Sequence, residues 1–282
     1  FDSESAIAPT FLERAGCDLE RLMYVQASSV EFVLETIEEL LGATDERLVF
    51  IWDSLAFTPS ISDVEGDFNP QSSMAVKARI LAKGMSKLVI PIADKQATFI
   101  VLNQLKTNIP QGPMARQIAM TTPYITPGGK AMHYAYSLRI WLTGRKAKSA
   151  FIEDEKGFRI GSEVKVKLEK SRFGTAGRSC AFRIMWGTDD VGIRDEESWF
   201  DAIKGSEHLT SAGAWYTFAT PDGYSKKFQP SKWTELITSD EDFKKRVLDL
   251  MDKEIIQKFD KRQGSAKEFY EDQEDITVPV KE

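Results

Sequence analysis

Apolar residues recur at spacings of three and four between Val30 and Leu41, where Val30, Val33, Leu34, Ile37, Leu40 and Leu41 form one stripe, and that period predicts a helix. RLVFIWDS, residues 47–54, has no such period. It is an almost unbroken apolar run that closes on Asp53, as a strand buried on both faces does. A further helix is predicted from about Ser72 to Val89, leading to a second buried strand, ATFIVLN. Upstream, FDSESAIAP reads as the end of a strand and PTFLERAG as a short helix stopped by Gly16. Continuously apolar strands alternating with helices predict an α/β fold, a mainly parallel sheet with helices on both faces.

From Tyr134 the period changes. YAYSLRIWL, SAFIED, GFRIGSEVKVKLEKSR and CAFRIMWG alternate, with a turn at Lys156-Gly157, and read as antiparallel additions to the same sheet. Beyond Gly187 the chain is expected to turn helical: DEESWFDAIKG, then AGAWYTF, then a long helix opening on the capping pattern from Ser239 to Asp242. Phe243, Val247, Leu250, Met251, Ile255 and Phe259 make one stripe on that helix, read as core packing. The expected organisation is a core over residues 1–193, a small α+β domain over 194–262 and an acidic, disordered tail over 263–282. One stretch fits no element: residues 102–130 hold four prolines and three glycines without any apolar period. Loops longer than about 12 to 15 residues are uncommon unless functional or disordered.

Composition adds bounds. With 42% apolar and 28% charged residues among 282, the chain is globular. No run approaches the roughly 20 apolar residues of a membrane span, so a soluble, cytoplasmic protein without a membrane partner is expected. Cys17 and Cys180 are far apart, and with His133 and His208 as the two histidines no metal-ligand spacing exists. Charge is unevenly spread: residues 1–67 sum to net −12, residues 68–180 to +13 and residues 181–282 to −7. The basic block surrounds the long loop, and is either a footprint for a polyanion or a solvated cationic face.

Asp53, followed by Ser54 at a strand's end, matches a Walker B carboxylate, which orients hydrated magnesium at the carboxyl edge of a parallel sheet. A carboxylate that merely caps the next turn is the plainer reading. Glu4, two residues after Asp2, ends another strand, where it could polarise a water. Asn103-Gln104 ends a third. Three polar strand ends on one edge inform more than any one of them.

The blocks FDSE, ERAGCDLERL, VFIWDSLAFTP, VEGD, FIVLNQLKTNI, TPGGKAMHYAYSLRI, GSEVKVKLEKSR, IMWG and SAGAWY follow in the order seen in bacterial RecA and its phage relative UvsX. From Phe1 to about Arg262 the chain resembles this family of DNA recombinases, and EKSR leans toward the phage branch. The resemblance implies a RecA-type P-loop ATPase core with a small C-terminal domain. It implies ATP and magnesium as cofactors, a filament on single-stranded DNA, strand exchange with a homologous duplex, and single-strand-binding and mediator proteins as possible partners. By position, Glu4 resembles the catalytic base, Asp53 the magnesium carboxylate acting through water, and Gln104 the sensor of the γ-phosphate. Phe11 and Trp186 fall where adenine is held, and Ser54 beside the metal carboxylate. Lys170 and Arg172 resemble the cationic pair that a neighbouring protomer inserts onto the phosphates. Residues 105–129 resemble the second DNA-binding loop, disordered alone and ordered on the strand, with Lys106, Arg116, Gly128, Gly129 and Lys130 toward phosphate. The first DNA loop would be Val64 to Met74, with Met74 and Arg79 on the DNA side.

The chain departs from the family's pattern. No G-x-x-x-x-G-K-[ST] phosphate loop occurs, since GGKA at 128–131 lacks both the leading glycine and the hydroxyl. In the family that loop precedes the FDSE strand, so the chain is expected to be a fragment lacking its N-terminal part and to bind ATP poorly. Ala8 replaces an acid often used to recognise adenine. Ser86 replaces a basic DNA contact, for which Lys83 and Lys87 could compensate. The alternatives are another ATPase of the same fold, of helicase or clock type, or a non-catalytic DNA-binding module.

Overall fold

The structure, a computed structural model, describes residues 1–67, 75–122, 124–144, 150–174, 176–187 and 191–256. Met74, Phe259, the Ile255 side chain and the acidic tail from residue 263 therefore lie outside the described residues. The chain divides into two compact units, residues 1–136 and residues 137–282.

The first unit runs α1 (Pro9–Arg14), α2 (Val30–Ala43), β1 (Val49–Trp52), α3 (Ile61–Glu65), α4 (Val76–Asp94), β2 (Thr98–Val101), β3 (Lys106–Thr107), α5 (Ala115–Thr121), β4 (Tyr124–Ile125) and α6 (Gly129–Ala135). β1 and β2 pair in parallel from Val49↔Thr98 to Trp52↔Val101. Asp2 extends the arrangement through parallel bridges to Asp53 on one side and Gln26 on the other. The expected parallel sheet is thus present, with the FDSE segment between residue 26 and β1.

α2 forms as its pattern predicts. Ser29 accepts a hydrogen bond from the Phe32 amide at 3.1 Å, capping the first turn. Val30, Val33, Leu34, Ile37 and Leu41 are buried along one face. They pack with Phe50, Trp52, Leu55, Leu81, Met85, Leu88 and Met132 into a single core. α4 approaches α2 closely at Gly84, where an added Cβ would stand 2.5 Å from Leu34 Cδ1. That helix continues past the expected Val89 and through Pro91, because a proline in the last turn removes one donor while Lys95 N–H still closes on the Pro91 carbonyl at 3.0 Å.

The second unit begins with β5 (Leu138–Gly144), β6 (Phe151–Glu153), β7 (Arg159–Ser171), β8 (Ser179–Met185) and β9 (Gly192–Arg194). All their pairings are antiparallel, in the order β5-β7-β8-β9 with β6 also on β7. Among the described residues these strands form a five-stranded sheet of their own rather than extending the β1-β2 ladder, which corrects the expectation of a shared sheet. The YAYS portion of the first expected strand also belongs elsewhere, since Tyr134 lies in α6 and pairing starts at Leu138.

Then follow α7 (Asp195–Ile203), β10 (Leu209–Ala212), β11 (Trp215–Ala219), β12 (Ser225–Phe228), α8 (Trp233–Ser239) and α9 (Glu241–Met251). AGAWYTF is a strand and turn, not a helix. Gly213 takes φ +61° at the turn, and β11 pairs with both β10 and β12. Its Trp, Tyr, Thr and Phe suit a pleated surface, with Phe218 fully buried on the inner face. The cap of α9 is Asp240, which accepts from the Phe243 amide at 3.0 Å, whereas Ser239 closes α8. Phe243, Val247 and Leu250 are buried with Phe200, Ile203, Leu209, Phe218, Phe228, Trp233 and Ile237, as the stripe predicts.

Candidate functional site

At the carboxyl ends of the parallel strands the main chain is tied crosswise. Asp53 N–H donates to the Phe1 carbonyl at 2.8 Å and Ser3 N–H to the Asp53 carbonyl at 2.7 Å. Leu102 N–H donates to the Trp52 carbonyl at 2.9 Å and Leu55 N–H to the Leu102 carbonyl at 3.0 Å. The ends of three segments, residues 2–4, 53–54 and 102–104, therefore lie side by side on one edge. The peptide between Asp53 and Ser54 is cis. Ser3 Oγ accepts from the Ser54 amide at 2.8 Å and donates to the Asp53 and Ser54 carbonyls at 3.1 and 2.9 Å.

The side chains follow. Ser54 Oγ donates to Glu4 Oε1 at 3.0 Å, so the two residues expected at the reacting edge touch. Burial raises the Asp53 carboxyl above its usual range, with the negative charges of Glu4 and Asp2 adding to the rise and the Phe1 amine opposing it. A carboxylate held among like charges is relieved by a cation. Asp2 is 1% exposed, and its carboxylate accepts four hydrogen bonds, one from the Tyr24 hydroxyl. Burial pushes its carboxyl up, but these bonds outweigh burial and hold it below the ordinary range. Gln104 is exposed at the end of β2's run, its main-chain N–H donating to Asn103 Oδ1 at 3.0 Å. Asn103 Nδ2 in turn donates to the Pro127 carbonyl at 2.9 Å, tying the start of the long segment to its return.

That segment has more structure than its composition predicts. β3 and β4 pair antiparallel, Lys106↔Ile125 and Thr107↔Tyr124, with α5 between them. Lys106 and Arg116 are exposed, as are Ile109, Met114, Ile118 and Met120. Gly128 has φ +104°, and a Cβ there would meet Met132 Cγ at 3.0 Å and Leu55 Cδ2 at 3.3 Å. Gly129, with φ +73°, is 3.2 Å by the same measure from Ala78 Cβ. The glycine pair is thus required by packing at the start of α6, whose next residue, Lys130, is exposed. Arg79 is exposed on the first turn of α4. Lys87 is engaged by Glu38 at 2.7 Å.

The remaining candidates stand apart from that edge in the chain. Phe11 is half-exposed on α1 of the first unit, and Trp186 is exposed at the end of β8 in the second, its amide donating to the Ile160 carbonyl at 2.9 Å. Lys170 lies at the end of β7 and Arg172 directly after it, its amide donating to the Ser137 carbonyl at 3.0 Å. Burial lowers the Lys170 ammonium, and the charges of Arg172 and Arg139 lower it further.

Sequence reasoning missed three residues here. Arg139 joins the Lys170-Arg172 cluster because its register partner is Lys170, and Trp141↔Lys167 and Thr143↔Lys165 put further cations on that face. Arg139 and Lys167 stand 5.5 and 5.6 Å from the Trp141 ring. Alternation in SLRIWL could have indicated the shared face, though not its partner. Lys77 Nζ donates to the carbonyls of Leu55, Ala56 and Thr58 at 2.6, 3.3 and 2.6 Å, clamping the turn after Asp53 to α4. Tyr24 carries no sequence signal for its bond to Asp2.

Residues 1–192 match the model of the RecA N-terminal domain, and the chain belongs to that family. It is 28% identical over 217 residues to the protein RecA of Leptospira biflexa serovar Patoc, covering 77% of this chain and 52% of that one. It is 29% identical over 219 residues to the protein RecA of Rubrobacter xylanophilus, covering 77% and 58%. With the protein RecA of Synechocystis the identity is 27% over 217 residues, covering 77% and 57%. The chain thus spans a little over half the length of these curated relatives. Among the described residues no helix is long and apolar enough to cross a membrane.

Proposed function

We propose that this chain supplies the ATPase and DNA-binding core of a homologous recombinase, which assembles as a filament on single-stranded DNA and exchanges it with a matching duplex. The observation that carries the reading is the meeting of Glu4, Ser54 and Asp53 at the carboxyl edge of parallel strands in a RecA-family chain. Glu4 takes the proton of the attacking water, while the Ser54 hydroxyl holds one of its carboxylate oxygens. Asp53 is the residue that would hold magnesium, by way of water. Among the described residues no three His, Cys, Asp or Glu side chains group into a protein-only metal cage. One carboxylate plus water and nucleotide phosphates is how magnesium is ordinarily held beside ATP, and the ion would neutralise phosphate charge there. Gln104 senses the γ-phosphate, and Phe11 and Trp186 contact adenine.

Lys170 and Arg172, with Arg139, act on the phosphates of a neighbouring protomer's nucleotide, so that filament growth and hydrolysis are linked. Met74, Arg79, Lys106, Arg116, Gly128, Gly129 and Lys130 line the DNA. The exposed Ile109, Met114 and Met120 suit wedging between bases while cations hold phosphate. The ATPase core extends over residues 1–193 and the small domain over 194–262, and the chain stands nearer the phage UvsX branch.

ATP turnover tests the reading. The 282 residues alone are expected to show no DNA-stimulated hydrolysis, because they contain no phosphate loop. Joined behind the phosphate-loop region of a matched bacterial RecA they should hydrolyse ATP when single-stranded DNA is added, and Glu4→Gln should abolish it. A joined chain that binds DNA without any hydrolysis would make this a non-catalytic module.

A further inference from the structure

The Asp2 carboxylate has every acceptor position filled. Oδ1 takes the amides of Glu4 and Ser5, both at 2.9 Å; Oδ2 takes the Ile7 amide at 3.3 Å and the Tyr24 hydroxyl at 2.9 Å. An ionised carboxylate offers about four such positions, so Asp2 retains none for a metal ion or for the proton of a water. Its backbone is equally fixed. Asp2 N–H donates to the Val25 carbonyl at 2.9 Å and the Asp2 carbonyl accepts from Ala27 at 2.8 Å. The loop after Asp2 curls around the carboxylate, with Ser5 at φ +53° in the left-handed region, a strain that the bonds it closes offset. Glu4 is therefore gripped twice, by Asp2 at its amide and by Ser54 at its carboxylate.

We propose that Asp2 and Tyr24 are positioning residues for Glu4: a clamp, anchored on the neighbouring 24–27 segment, that sets where the Glu4 carboxylate stands at the strand edge. The proposal rests on the reading of Glu4 as the base. Asp2 supplies the fixed acceptor, and Tyr24, the one side-chain donor to it among the described residues, holds the carboxylate in the rotamer that meets the loop amides. Tyr24 is itself 52% exposed, so its hydroxyl can be removed without opening the core.

Tyr24→Phe is the variant. In the 282-residue chain, amide exchange at Glu4, Ser5 and Ile7 should accelerate about tenfold, the loss expected for one hydrogen bond to a charged group, while Asp53 and Ala27 keep their protection. Unchanged exchange at those three amides would show that there is no clamp. In the joined chain, Tyr24→Phe should lower kcat about tenfold and leave the KM for ATP unchanged, which a general loss of folding would not do. Faster exchange with undiminished kcat would make the clamp purely structural and overturn the positioning role. If Glu4→Gln left turnover intact, the reading of Glu4 would fail instead, and the exchange data would still report whether the clamp exists.

Discussion

Single residues at this edge are held by bonds whose partners lie about fifty positions away in sequence, as Ser54 and Glu4 show. Chemistry that depends on one carboxylate oxygen needs this second support, because a surface glutamate samples several rotamers. The same principle acts at Arg246, which binds Asp222, meets Asp242 at 3.0 Å and lies 4.4 Å over the Tyr224 ring. Hydrogen bonds from Thr220 and then Arg246 hold the Asp222 carboxyl well below its usual range. A depressed carboxyl stabilises the fold above its unfolded pKa of about 3.9, and that contribution fades as pH falls through the folded value. Arg246→Ala should therefore lower the Tm at pH 7, and the gap to the parent should narrow below about pH 4 in thermal unfolding followed by tryptophan fluorescence. A gap that is constant with pH would place the arginine's effect in packing alone.

Elements differ in how much of their form is local. α2 was legible because its stripe and its cap occupy contiguous residues, and β1 and β2 because they are continuous apolar runs, although β1 buries one face only, with Phe50 and Trp52 inside and Val49 and Ile51 exposed. β11 was not, since five residues with a glycine before them carry little period, and pairing with β10 and β12 decided the outcome. The segment from 102 to 130 went the other way: its prolines hid a two-residue ribbon and a seven-residue helix that exist because Asn103 and Gly128 fix the two ends. If this segment grips DNA, protease should cut the free joined chain near Lys106 and Arg116, and single-stranded DNA with a non-hydrolysable ATP analogue should protect both. Replacing Lys106, Arg116 and Lys130 with alanine should reduce the slope of log K against log salt by roughly 0.7 per lost contact. An unchanged slope, with equal cutting in the complex, would make the segment a solvated insertion.

At the scale of the whole molecule the proposal of a shared ATP site predicts complementation. Joined chains carrying Lys170→Ala or Arg172→Ala, mixed with chains carrying Glu4→Gln, should regain part of the lost ATP turnover, because some sites then combine an intact base with an intact cationic pair. Strictly additive loss would place all these residues in one protomer. The amino-acid sequence by itself determined the α/β class, the order of most elements, the basic block over residues 68–180 and the three polar strand ends. Each of these depends on residue type and short-range spacing. Tertiary structure alone decided that the antiparallel strands form a separate sheet, that Arg139 joins Lys170, that Lys77 clamps the turn after Asp53, and that Tyr24 reaches Asp2. Those outcomes depend on register and on the distance between side chains far apart in the chain. Local pattern carries no information about either until the backbone has closed on itself.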